Sequence, residues 1–262
     1  MTMATMAPLQ PADIEAIERA TLAAVAPQWL QELDGDGWLL PMDSGTVGRA
    51  KSAVPMRHAA PRAAPDRLLE RIEAGYAARG LATMLRLPDA ACFDALRAVL
   101  AEHGYQGIKP TLTQIGSTHA MRAVSQGRPA DVDAAPDSGW AGVFLGPGFD
   151  PVDGASRVQA LTRASGNLYA SVRENGRTLA AGAMSFGHGW ASVHGMRTDQ
   201  SSRGHGLAGR VLAGLAQAAL DRGYPRVFLQ VEAGNAAALA LYRRAGFQSA
   251  WAYRYWQRGA PP

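Results

Sequence analysis

Between Gly189 and Asp221 the chain passes from strand to glycine-rich loop to helix, and this order constrains the fold more than any other feature. Gly189 to Met196 mixes apolar and polar residues as a strand does. Thr198-Asp199-Gln200-Ser201-Ser202 is a polar turn, and Arg203-Gly204-His205-Gly206-Leu207-Ala208 is rich in glycine. Leu207 to Asp221 then carries Val211, Leu212, Leu215 and Ala219 at helical spacing. A glycine-rich loop at a helix start leaves backbone N–H groups without partners and adds the positive end of the helix dipole. It can therefore hold a phosphate or pyrophosphate. Glycine is needed because a side chain would block close approach of the backbone.

Several readings of the loop compete. A P-loop requires a lysine, and the loop has none. Gly204-His205-Gly206-Leu207-Ala208-Gly209 fits the dinucleotide fingerprint to the letter, and Glu232 lies where an acid would hold a ribose. Against that reading, several polar residues separate the strand from the first glycine, and the remaining chain is short for the large sheet such a fold opens. A glycine-rich turn without a ligand is the plainest alternative. The downstream sequence adds a second pattern. After a strand at Val227 to Val231 come Asn235, Ala238, Leu241 and Tyr242, then Gly246-Phe247. Together, Thr198, Arg203, Gly206, Ala208 and this spaced series resemble the GCN5-related N-acetyltransferase (GNAT) family.

The resemblance implies acetyl-CoA as cosubstrate and direct transfer of acetyl to an amine. It implies that Met196, Arg197 and Thr198 lie along the pantetheine arm. Arg203, Gly204, His205, Gly206, Leu207 and Ala208 would hold the pyrophosphate, with Asn235 and Ala238 as further cofactor contacts. Tyr242 would give a proton to the departing sulfur. Helical geometry puts Asn235 and Tyr242 on nearly the same face, at about 100° per residue. Asn235 also suits a plain N-cap, and Tyr242 a packed aromatic. An amine with a pKa near ~10 must lose a proton before it can attack. The candidate bases are His194, which alternation sets on the side of Met196 and Thr198, and Glu232. His188 and His205 read as incidental. Trp251, Tyr253 and Tyr255 alternate onto one face and suit either an acceptor pocket or core packing. A non-catalytic acyl-CoA-binding regulatory module is the alternative to an enzyme.

Composition bounds the rest. An apolar fraction of 47% with 18% charged residues describes a soluble globular chain. The single Cys92 excludes a disulfide framework and a cysteine-built zinc site, and no metal is expected. The net charge of +4 comes from scattered arginines beside Lys51 and Lys109, so nucleic-acid binding is not expected. Met1 to Pro8 has no basic region, and no apolar run reaches about 18 residues; a cytoplasmic protein without membrane span is expected. The family resemblance implies a small-molecule or peptide amine as acceptor without identifying it, and a homodimer is left open.

The expected fold is α/β: two tandem units, each a mixed, largely antiparallel sheet flanked by helices. Helices ending at Gly223 and Gly246 have counterparts ending at Gly80 and Gly104, each followed by a strand. The boundaries are residues 1–125, a breaker-rich linker at 126–137, and 138–262. The second unit opens at Trp140, with a helix at Ser156 to Ala164 and a hairpin turning at Asn175-Gly176. The first unit is degenerate: Arg49 to Pro55 occupies the region comparable with the glycine-rich loop. It is expected to bind little or no cofactor and to shape the acceptor site or an interface.

Overall fold

A computed structural model describes residues 9–259. The expectation for Met1 to Pro8 lies outside the described residues. In chain order the elements are α1 (Pro11–Val25), β1 (Trp29–Leu33), β2 (Trp38–Met42), β3 (Val54–Pro55), α2 (Pro65–Ala77), β4 (Met84–Pro88), α3 (Asp94–Glu102) and β5 (Tyr105–Ser117). They continue with α4 (Thr118–Arg122), β6 (Asp131–Asp133), α5 (Ser138–Gly142), α6 (Pro151–Arg163), β7 (Leu168–Glu174) and β8 (Arg177–Gly187). β9 (Trp190–Thr198), α7 (Leu207–Asp221), β10 (Arg226–Glu232), α8 (Ala236–Arg244) and β11 (Gln248–Arg258) complete the order.

Eight strands form one mixed sheet in the order β4-β11-β5-β10-β9-β8-β7-β6. Its centre reads the same when the halves are exchanged: β4 and β10 flank β11 and β5, which pair antiparallel with each other. Each half thus lends its last strand to the space beside the other half's preceding strand. A second sheet, β1-β2-β3, meets β4 through the parallel bridge Ala53↔Leu85. The bridge is closed by Ala53 N–H to Met84 O and Arg86 N–H to Ala53 O, both 2.8 Å. The glycines that close α2, α3, α7 and α8 (Gly80, Gly104, Gly223 and Gly246) all stand at positive φ, the conformation that ends a helix without a Cβ penalty.

Helix α7 packs Val211, Leu212 and Leu215, all fully buried, onto the strands of the second half. Each such side chain contributes about 1.5–3 kcal/mol relative to exposure. Helix α1 covers the opposite face, with Ile17 and Ala20 against Trp190 and Phe228. It is also tied to β4 by a buried ion pair, Arg86 Nη1 to Glu18 Oε2 at 2.5 Å.

Several local expectations shift. Three of the residues between the halves, Asp131 to Asp133, form the edge strand β6 against β7. Helix α6 begins at Pro151 and not Ser156, because Asp150 caps it by accepting from the Asp153 N–H at 2.9 Å. The helix expected to end at Gly104 opens as a 3-10 turn at Ala91–Phe93 before α3. β5 runs unbroken from Tyr105 through Lys109 and Pro110, held by its ladder with β11; Lys109 sits at φ 48. Arg49 to Pro55 is not a counterpart of the glycine-rich loop: it comprises a 3-10 turn at Gly48–Ala50 followed by β3, and α2 starts later, with Pro65 in its first turn.

Candidate active site

Strands β9 and β10 run parallel but stay paired only at Ala191↔Val227, Ser192↔Phe228 and Val193↔Leu229. Beyond that point β9 continues along β8 to Thr198, and β10 along β5 to Glu232. A gap therefore opens between residues 194–198 and 230–232, with unsatisfied backbone edges on both sides. A bulge at the vertex contributes to the opening. The pairing steps from Ala183↔His194 to Ala181↔Arg197, so Gly195 and Met196 together oppose Gly182. Gly195 sits at φ 60, and a Cβ there would lie 2.7 Å from Leu161 Cδ1; only glycine fits.

The bulge corrects one sequence expectation. Alternation set His194 with Met196 and Thr198. The extra residue inverts it: Met196 packs with Val193 on the α7 side, while His194 lies edge-on to Phe228, 6.4 Å between rings, on the α1 side.

Beyond the open end of the gap lies the loop. Gly204 and Gly206 stand at φ 83 and 74, with nothing within 4 Å of where a Cβ would project. Gly206 is the N-cap of α7 and offers no side chain to cap it, so the first amides of the helix face open space. Leu207 is buried in the core beneath the loop and Ala208 is half-buried. His205 is exposed, its Nδ1 3.3 Å from Ser202 O. Arg203 is exposed and lies 5.6 Å from the Phe149 ring centre; Arg197 lies 4.8 Å from the same ring. Arg197 reaches Asp153 at 3.7 Å, and its buried Nε has no partner.

On the α7 side of the gap stands Tyr242 of α8, 7% exposed, edge-on to Phe247. Its hydroxyl is bonded to no protein group among the described residues. Burial pushes its pKa up to about 12, against the opposing pull of Arg197 and Arg49. Asn235 caps α8, its Oδ1 accepting from the Ala238 N–H at 3.1 Å. Ala238 is half-buried, and Glu232 is exposed at the rim, close enough for its charge to act on Arg197.

On the α1 side, His194 is 3% exposed, with Nε2 2.8 Å from Ser192 Oγ and Nδ1 without a partner. Burial first, then Arg49, holds its pKa well below the usual 6.5. Arg49 is the residue that sequence reasoning missed as a site component. Its Nη1 donates to Gln230 Oε1 at 3.0 Å, and Gln230 is the first residue of β10 past the ladder with β9. The Arg49 charge also acts on Tyr242 and Tyr253. No local motif announces it. The nearest clue is Gly48, where a Cβ would lie 2.9 Å from the Tyr255 ring, so that the turn can press against β11. Tyr253 is fully buried beside Arg86, Tyr255 is half-buried 5.5 Å from it, and Trp251 packs with the α1 cluster.

Among the described residues no helix is long and apolar enough to cross a membrane, and no His, Cys, Asp and Glu side chains are grouped to hold a metal ion. The family described as "Probable histone acetyltransferase Rv0428c C-terminal" matches residues 11–256. No protein of curated function matches the chain. Among solved structures, a GCN5-related N-acetyltransferase from Kribbella flavida is 20% identical, with 95% of this chain and 96% of that one covered and a TM-score of 0.66. A functionally unknown conserved protein from Staphylococcus epidermidis is 12% identical, covering 88% and 94% at a TM-score of 0.65. A tandem GNAT protein from the clavulanic acid biosynthesis pathway is 16% identical, covering 97% and 98% at 0.58. These likenesses establish a shared fold.

Proposed function

We propose a function from one premise: this chain belongs to the GCN5-related N-acetyltransferase family, within the group described as the probable histone acetyltransferase Rv0428c C-terminal. The reading is an acetyl-CoA-dependent N-acetyltransferase that moves acetyl to an amine by direct attack. The carrying observation is the juxtaposition of three features: the open amides at Gly204 and Gly206, the gap between β9 and β10, and the free hydroxyl of Tyr242.

Coenzyme A fits these residues. A diphosphate suits the amides at the start of α7, where glycine leaves space and the helix dipole favours an anion. Arg203, free of any carboxylate among the described residues, supports the same charge. An extended arm suits the backbone of Met196, Arg197 and Thr198, which has no strand partner on the gap side. Bound acetyl-CoA supplies an acetyl group activated as a thioester.

The chain's own residues then divide the proton work. Nitrogen bonds to the acetyl carbon as the carbon–sulfur bond breaks. Tyr242, kept protonated by burial, gives its proton to the sulfur that leaves. His194 is neutral, with Nδ1 unpartnered beside the gap, and takes the proton that the amine sheds. Glu232, at the exposed rim, is the second candidate. The division into a degenerate first unit and a catalytic second unit belongs to the same reading, with the first unit supplying the wall opposite Tyr242.

Thiol release from acetyl-CoA over a panel of amines tests the reading, with coenzyme A affinity measured in parallel by calorimetry. Binding and turnover that both depend on the glycine-rich loop support it. Binding without turnover by any amine supports the regulatory module, and absence of binding by folded protein defeats both.

A further inference from the structure

The gap has a second charged feature, at its vertex and on the side away from α7. A small cleft there is lined by Val25, Val47, Arg49, Arg157, His194 and Gly195, among others. Arg157 is committed to Asp153 at 2.6 Å. Arg49 has no carboxylate within 4.0 Å among the described residues, and its one side-chain bond goes to the neutral Gln230. The carboxylate nearest in effect, Glu18, is taken by Arg86. Two further polar atoms around the vertex lack partners although buried: His194 Nδ1 and Gln230 Nε2. Buried polar atoms in native proteins are nearly always satisfied, so these two, with Arg49 and His194 lining the cleft and Gln230 joined to Arg49 beside it, mark the place of a missing partner. That partner must accept hydrogen bonds from Arg49 and the Gln230 amide and bring negative charge.

The coenzyme's diphosphate is not that partner. The loop that suits it lies after Thr198, beyond the open end of the gap, whereas Arg49 stands where the gap begins. The remaining molecule in a transfer reaction is the acceptor. Building on the amine-acceptor reading, we infer that the acceptor carries an anionic group, a carboxylate or a phosphate, and that Arg49 with Gln230 receives it beside His194. Arg49 is then a specificity-determining residue from the first half of the chain. It anchors one end of the acceptor so that the amine at the other end meets the thioester. Guanidinium suits either anion because its planar fork can donate two parallel bonds to two oxygens.

Matched acceptor pairs test this: α-amino acids against their decarboxylated amines, and O-phosphoethanolamine against ethanolamine. Each pair differs only in the anion, and the two arms separate carboxylate from phosphate. Transfer is followed by thiol release, and binding to coenzyme-A-loaded protein by calorimetry. The expected result is that members of one arm exceed their neutral partners in kcat/KM by about 10- to 100-fold, as for a hydrogen bond to a charged group. Arg49→Gln should bring that ratio close to one, chiefly through KM, with coenzyme A affinity unchanged. Arg49→Lys should keep part of it, and Gln230→Leu should lower it without abolishing it. The three variants are compared only if their melting temperatures match the parent. Neutral partners as good as the anionic members would overturn the inference, as would an equal loss for both in Arg49→Gln. So would the failure of every anionic member to bind or react in an Arg49-dependent way. Arg49-dependent binding without any thiol release would retain the anion site and sink the transferase reading instead.

Discussion

The two walls of the gap between β9 and β10 have different origins. The wall on the α7 side is assembled from contiguous sequence: the turn after Thr198, the loop from Arg203 to Ala208, and the two turns of α8 from Asn235 to Tyr242. The wall on the α1 side is assembled from distant pieces. Arg49 comes from a turn before β3 and meets Gln230 of β10 and His194 of β9, and behind it Glu18 of α1 pairs with Arg86 of β4. Backbone chemistry governs the first wall, because amides at a helix start bind anions in any protein context. Side-chain placement governs the second, so its chemistry is specific to this chain. On the proposed function, the first wall serves the shared donor and the second selects the acceptor.

Four changes would break or sharpen that contrast. The largest effect is expected from Glu18→Ala, which leaves Arg86 buried without its carboxylate. Removing one partner of a buried pair costs about 3–5 kcal/mol, and denaturant titration should show a fall of that size. A loss below about 1 kcal/mol would mean that α1 is held by its apolar contacts alone and that the second wall does not depend on the pair. Next comes Tyr242→Phe. It should lower kcat by about 10²- to 10³-fold, in the range of general acid catalysis, and leave coenzyme A affinity within about twofold. An unaltered kcat would remove Tyr242 from the proton path.

Gly206→Glu attacks the first wall alone. It forces a side chain into φ 74 and sets a carboxylate at the proposed diphosphate site. Calorimetry should report coenzyme A affinity weaker by about 100-fold, roughly 2.7 kcal/mol, while the anion preference that depends on Arg49 persists in acceptor binding. Loss of both together would show that the walls are not separable.

The smallest expected effect is on stability against pH. Burial lowers the pKa of His194 well below 6.5 and that of His58 to about 4. In the unfolded chain both protonate as pH falls through about 6.5, whereas in the native state they resist. The stability they confer is therefore complete above about pH 6.5 and declines below it, by up to about 1.4 kcal/mol per pH unit for each group, until the folded pKa is passed. Urea midpoints between pH 7 and 4 should fall accordingly. The slope should be shallower in His194→Gln, and an unchanged slope would mean that His194 is reached by water.

Much of the frame was legible in the chain. Helix α7 occupies Leu207 to Asp221 as its apolar spacing indicates, Asn175-Gly176 turns the β7–β8 hairpin, and the four helix-closing glycines lie at positive φ. These features rest on local backbone preferences and on periodicity, which neighbouring residues alone specify. Less of the site was legible. Gly195 in the sequence is one more strand residue; its bulge, which turns His194 away from Met196, accepts only glycine because Leu161 and Phe144 press against it from α6 and the segment before it. The first half of β5, Tyr105 through Pro110, is held by its ladder with β11, a contact between residues far apart in the chain.

The sequence by itself determined where an anion could meet a helix start and which tyrosine follows it two turns into α8, because both depend on spacing along one segment. Tertiary structure alone decided how the halves interleave, with β5 held between β10 and β11, and that this arrangement carries Arg49 to Gln230. The physical reason is that the conformation of a loop or helix is set by its own residues, whereas the partners of a charged side chain are set by which strands come to lie side by side.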